Sequence, residues 1–316
     1  MWAFIDHSGK VREVQDCDFV SDFQEGWCVV RFRGTQGIMD RGFHRRTFDS
    51  IDLITGFRGG YSAAKAGRMY GYINLDGDWV IRPEFTHAQS LSGGYAFAYK
   101  GRRSFVFDEH LELVHELADG EVEWYSEGLF NVVLHGEHFF LDESFASRHG
   151  PYTSASPFYG GRALVAKGDQ EYFIDTDGQK IIEMPGVRSR GIPSEGFYVF
   201  SDASAKYGYF DSAGTIRIAP EYDDALGFSD GLAAVRVGEE WFYINKIGKR
   251  CSEGYDKAWC FSEGIAPVLR DGCCYYVDPR FRPQFDSEFQ LAMEFSEGLG
   301  RVRKKALCSN KTAPTA

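Results

Sequence analysis

The chain lacks most of what a membrane, secreted or nucleic-acid-binding protein needs. Across 316 residues no apolar run approaches the ~18 residues of a membrane span. The start, M-W-A-F-I-D-H-S-G, has neither the basic region nor the apolar stretch of a signal peptide. Positive charge is in deficit: 35 Lys and Arg stand against 46 Asp and Glu, a net charge of −11. Phosphate recognition needs a basic footprint, so DNA or RNA is not the expected partner. The seven cysteines (Cys17, Cys28, Cys251, Cys260, Cys273, Cys274 and Cys308) are odd in number and irregular in spacing. That suits reduced thiols better than a disulfide framework, and a cytoplasmic location is the expectation. Catalytic signatures are missing too: there is no G-x-S-x-G, P-loop, H-E-x-x-H or dinucleotide fingerprint. Long 3.6-residue periodicity is absent, so little helix is expected. His110 to Ala118 is the one stretch with a helical look, and its place in the repeat described next matches a strand.

What the chain does have is a period. An Asp or Asn closes an aromatic segment at Asp6, Asp40, Asn74, Asp108, Asp142, Asp175, Asp211, Asn245 and Asp278, 33 to 36 residues apart. A second ruler is the Gly that ends F-S-E-G-like turns: Gly26, Gly60, Gly94, Gly128, Gly161, Gly196, Gly231, Gly264 and Gly298, spaced by 33 to 35. Two features keeping one period along the chain mark a solenoid, propeller or array of nine units.

The unit is plainest from Phe228 to Gly248. A turn (Phe228 to Gly231) leads into a strand (Leu232 to Val237), a tight turn at Gly238 and an aromatic strand (Trp241 to Asn245). Asp or Asn followed by x-x-Gly then closes a turn, because the side chain bonds backbone amides further on and Gly takes positive φ. A third strand follows, as in Trp79-Val80-Ile81-Arg82 and Ile216-Arg217-Ile218, and Pro83 or Pro220 ends it. The aromatic strands are bulky on both sides (Phe139-Phe140-Leu141, Tyr275-Tyr276-Val277), which requires cover on both faces.

Tyr70-Gly71-Tyr72-Ile73-Asn74 and Tyr207-Gly208-Tyr209-Phe210-Asp211, with Phe261-Ser262-Glu263-Gly264 and Pro220-Glu221-Tyr222, resemble the bacterial WG repeat, also called KWG. The resemblance spans nearly all of residues 1 to 304 and departs from the pattern in one respect. The Trp-Gly pair is missing, since Trp2 and Trp241 precede Ala3 and Phe242, and Cys274-Tyr275 stands at the equivalent place near the C-terminus. It implies a β-repeat interaction module and no particular activity.

The expected fold is therefore all-β: nine ~34-residue, three-stranded antiparallel repeats in a single domain over residues 1–305, with 306–316 a disordered tail. The chain opens on an aromatic strand (Met1 to Asp6) and ends on the strand that should precede one (Leu299 to Lys304). Pairing these two closes a propeller-like ring, whereas an open β-solenoid or superhelix leaves both as orphan edges.

Candidate chemistry is sparse, and no catalytic, metal or cofactor-binding residue and no cofactor is expected. His135 and His138 flank a hairpin turn, but zinc needs three or four ligands. The vicinal Cys273 and Cys274 point to opposite faces of a strand. Arg41, His44, Arg45 and Arg46 form the densest basic run, with Arg102 and Arg103 placed on the other rim. The acids that precede the turn glycines (Glu25, Glu127, Glu195, Asp230, Glu263 and Glu297) read as turn chemistry. The expected function is a non-catalytic scaffold for a protein partner, held at the irregular segments Gly42 to Ile54, Ala118 to Tyr125 and Met184 to Ile192. The alternatives are carbohydrate or small-ligand binding through Trp79, Trp124 or Trp259, and a hydrolase or lyase with channel carboxylates.

Overall fold

The computed structural model describes residues 1–183 and 188–304. The C-terminal segment 306–316 lies outside the described residues. Every described element is a strand, and the strands form nine small antiparallel sheets. His110 to Ala118 includes a strand, Leu113–Leu117. Each sheet is one blade of a ring. Blade 1 starts at Cys17, blades 2 to 8 follow in chain order, and blade 9 combines the two ends of the chain.

That last blade decides between ring and open array. Trp2–Asp6 pairs on one side with Val11–Val14 and on the other with Leu299–Arg303. The register runs from Trp2 opposite Arg303 to Asp6 opposite Leu299. Leu299–Arg303 pairs in turn with Leu291–Ser296. The N-terminal aromatic strand and the C-terminal strand thus fill the centre of one four-stranded sheet. The open solenoid is excluded, and neither end presents an unpaired edge.

The repeat carries one strand more than the expected meander. The segment that reads as a linker forms a fourth strand beside the turn-Gly strand, as His87–Ser92 does against Tyr95–Lys100. Seven of the sheets have four strands. In blades 7 and 8 the inner strand is present, and it is the outer strand of the meander that is reduced to single bridges such as Ile244 to Arg250 and Val277 to Pro283. The third strand of the meander is the outer edge and is largely exposed (Trp79–Phe85, Lys180–Glu183). The added strand therefore lies at the inner edge, toward the ring axis.

Alternation then builds the core. The residue two before each closing Asp or Asn is buried in every blade: Phe4, Ile38, Tyr72, Val106, Phe140, Phe173, Tyr209, Tyr243 and Tyr276. Packing runs between blades, as where Leu129 and Phe140 of blade 4 meet Ala163, Val165 and Ile174 of blade 5. Such face-to-face burial is what holds propeller-like units together. Four of the central tyrosines also reach across a blade boundary. Tyr72, Tyr209, Tyr243 and Tyr276 donate to the backbone carbonyls of Gln89, Leu226, Trp259 and Met293, each on the next inner strand or the residue just after it.

The closing turns form as expected. Asp6 Oδ1 accepts from the backbone of Ser8 and Lys10 at 2.9 and 3.1 Å, and the same pair of bonds recurs at Asn74, Asp142, Asp211 and Asp278. These bonds satisfy the turn locally, which is why Asp and Asn suffice. The carboxyls of Asp6, Asp142 and Asp211 are held below the ordinary range, first by side-chain hydrogen bonds from Ser8, Ser144 and Arg217 respectively and then by these backbone bonds. The nine turn glycines all adopt positive φ, between 74° and 91°.

Candidate functional site

The acids beside the turn glycines do more than shape their own turns. Each sits at positive φ, 48° to 54°, an unfavourable region for an L side chain. Each carboxylate reaches the next blade and accepts a turn backbone N–H there. Glu25 takes Gly59, Glu127 takes Gly160 and Gly161, and Glu195 takes Gly231. Asp230 takes Gly264, Glu263 takes Gly298, and Glu297 crosses the ring closure to Gly26. In the other three blades the position is Gly59, Gly93 or Gly160, also at positive φ. The turn serines repeat the device: Ser229, Ser262 and Ser296 donate to the carbonyls of Phe261, Phe295 and Phe23. One face of the ring is therefore a hydrogen-bonded girdle with a carboxylate at six of its nine stations.

Inside this girdle, at the seam where the ring closes, two cavities adjoin. One of about 380 Å³ is lined by Trp259, Met293, Glu294, Phe295, Ser296 and Asp22. Its neighbour, about 360 Å³, shares Asp22 and Ser296 and extends past Gln24 and Glu297 to Trp27 and Gly56. The residues come from consecutive inner strands and the turns that follow them, so both cavities face the axis. Asp22 is fixed by Arg301, whose guanidinium donates to both of its carboxylate oxygens at 2.7 and 3.2 Å and to the Val20 carbonyl. Glu294 accepts the Cys260 backbone N–H at 3.2 Å. It opens to solvent, yet enough protein surrounds its carboxyl that desolvation, reinforced by the charge of Asp22, raises its pKa. Lys257 lies over the Trp259 ring at 5.5 Å. Asp22, Cys260 and Glu294 hold one repeat position, four before the turn Gly, where other blades carry Gly56, Ser90, Pro157 and Gly227. The seam is where this inner position turns acidic.

The structure disperses several residues that the sequence placed close together. His135 turns to Asp119 at 3.7 Å, while His138 turns inward to Asn131 at 3.0 Å. Among the described residues no three His, Cys, Asp or Glu side chains gather as a metal site. The basic run is tied down residue by residue: His44 to Asp40, Arg45 to the Gln15 carbonyl, Arg46 to Asp76. Arg102 forms a bidentate pair with Asp119, and Arg103 pairs with Glu116.

Of the irregular segments, Gly42 to Ile54 sends Phe48, Ile51 and Ile54 into the core between blades 1 and 2. Part of Met184 to Ile192 lies outside the described residues. Ala118 to Tyr125 borders a cleft of about 490 Å³ between blades 3 and 4, where the Arg102–Asp119 pair and His135 sit. Trp79, Trp124 and Trp259 are each half-buried. Sequence reasoning missed the seam site because its residues lie about 270 positions apart. The available signal was the acid at one inner position in units on either side of the closure.

The comparisons agree with the repeat and the ring. The family described as WG containing repeat matches residues 70–102, 207–241 and 241–272, three separate units in register with the nine-fold period. Three of the chain's nine units are WG repeats. No curated protein matches it. Among solved structures, the WG-repeat ring is similar to a eukaryotic initiation factor, with a TM-score of 0.60 and 11% identity over 97% of this chain and 99% of that one. It is also similar to BamB from Moraxella catarrhalis, with a TM-score of 0.46 and 11% identity over 90% of this chain and 99% of that one. At these identities the likeness concerns the fold alone.

Proposed function

We propose that this WG-repeat ring is a non-catalytic scaffold that binds another protein, and that it receives a basic segment of that partner at the closing seam. The observation that carries the reading is the pair of adjoining axial cavities, which share Asp22, one lined by Glu294 and Trp259 and the other by Glu297. Carboxylates beside an aromatic face suit a lysine or arginine side chain, through charge and through attraction to the ring. The ring itself supplies stiffness, and its net charge of −11 favours encounter with a basic partner. A cytoplasmic setting fits the same reading.

Glu294→Gln tests it with little risk to the fold, since Glu294 makes its hydrogen bond to a backbone amide that glutamine also satisfies. Co-purification from the source cells should recover a protein partner with the unaltered chain. Glu294→Gln should weaken that capture by about tenfold, on the order of a charge-assisted contact. A partner held equally well by both chains, or none held by either, contradicts the proposal.

A further inference from the structure

The Asp or Asn turns that close the aromatic strands stand on the same face as the girdle and outside it. Lys246 of one such turn reaches Glu195 of the girdle at 3.0 Å, and His7 of another reaches Glu263 at 3.0 Å. The four residues after each closing Asp or Asn therefore make a crown of nine turns, one per blade. Its charges are sorted by sign. Every Lys and Arg of the crown belongs to blades 7, 8, 9 and 1: Lys246, Lys249, Arg280, Arg282, Lys10 and Arg41. Every Asp and Glu belongs to blades 2 to 5: Asp76, Asp78, Glu109, Glu112, Glu143 and Asp177. Blade 6, with Ser212, Ala213, Gly214 and Thr215, carries no charge. All of these charged residues are exposed.

The tight turns on the opposite rim show no such order. Blade 5 carries Lys167 with Asp169, blade 6 Asp202 with Lys206, and blade 8 Arg270 with Asp271. Nor does the fold impose the sorting. A closing turn needs only its Asp or Asn and a residue at positive φ three positions later, and the other places are open.

A face divided in this way is complementary to itself. In a ring of nine evenly spaced blades, the line from blade 6 through the centre passes between blades 1 and 2. A two-fold axis along that line, in the plane of the crown, sets a second ring face to face with the first. Blade 7 then meets blade 5 of the other copy, blade 8 meets blade 4, blade 9 meets blade 3, and blade 1 meets blade 2. Every basic turn faces an acidic one. Blade 6 alone meets itself, and there any charge would face its like. It is the one blade whose turn has none. We propose that the chain forms a face-to-face dimer through this crown, an isologous contact between two copies. Opposite charges in register give such a contact its orientation more than its strength. Part of the crown's charge is already paired within the ring, as in Arg282 with Asp278 and Asp76 with Arg46. Each chain also carries −11 overall, so the dimer is weak and reversible.

Sedimentation velocity of the purified full chain, over micromolar concentrations, tests this in ~0.1 M salt, where charges more than ~10 Å apart are largely screened. The unaltered chain should show a monomer–dimer equilibrium. Lys10→Glu on blade 9 and Glu112→Lys on blade 3 each set like charges face to face twice in the dimer. Each alone should weaken association by about tenfold or more. Mixed in equal amounts, the two variants should dimerise again, because each supplies the charge that the other needs. Thermal melts matching that of the unaltered chain show that the rings of both variants are intact. A chain that stays monomeric throughout overturns the proposal. So does a dimer indifferent to both reversals, or one that the mixture fails to restore. No other protein enters this measurement, so its outcome is independent of the seam.

Discussion

A chain ended after Gly298 should lose at least about 5 kcal/mol, on the order of the whole stability of an ordinary domain. The deleted strand, Leu299–Arg303, is bonded on both sides, to Trp2–Asp6 and to Leu291–Ser296. Without it both neighbours become open edges, and Ala3, Ile5 and Ala292 lose Val302 from their shared core. Asp22 loses Arg301, and its charge is left beside Glu294. Ring architectures differ here from open arrays, where a terminal strand is the least costly to remove. Thermal melts followed by circular dichroism should show a lower and broader transition. Native mass spectrometry should show oligomers formed through the exposed edges. A truncated chain that melts as the full one does would contradict the closed ring.

The second large effect belongs to the central tyrosines. Tyr276→Ala should cost about 3 to 5 kcal/mol in denaturant unfolding, the range for removing a large buried ring. Tyr276 is fully buried, lies 5.2 Å from the Phe295 ring and 5.9 Å from that of Phe285, and gives its hydroxyl to the Met293 carbonyl at 2.6 Å. It therefore fixes the inner strand of blade 9 from blade 8. Tyr276→Phe keeps the ring and should cost only about 1 kcal/mol, the usual worth of one hydrogen bond. Ile247→Ala, at a turn position that is 80% exposed, should change stability by no more than about 0.5 kcal/mol. Equal costs for Tyr276→Ala and Tyr276→Phe would mean that the hydroxyl, not the packing, holds the blade.

The repeat was legible because its two rulers are local. Asp6 or Asp211 bonds amides two and four residues on, and Gly26 or Gly264 needs a positive φ in its own turn. Ring closure was legible for a related reason, since the first and last strands are complementary halves of one unit. The inner strand was not legible. In blades 2, 5, 7 and 8 it is two residues long, as at Leu53–Ile54 and Ser154–Ala155, too short to show a period. Nor were the girdle bonds: Glu25 or Glu263 looks like a turn residue until its partner, a unit further on, is placed beside it. Blade 4 left a trace in Asn131, which stands where most units carry an apolar residue. Only the structure shows that its amide, together with Trp124 and Glu123, goes unanswered.

Closure of the ring can be read directly from hydrogen exchange by mass spectrometry, on peptides covering Trp2–Asp6 and Leu299–Arg303. In a closed ring both are central strands, and their amides should be as protected as those of Tyr72 and Tyr243 in their own blades. Exchange of either segment within seconds, with blades 2 to 8 still protected, would mean that the ends do not meet and that the molecule is an open array.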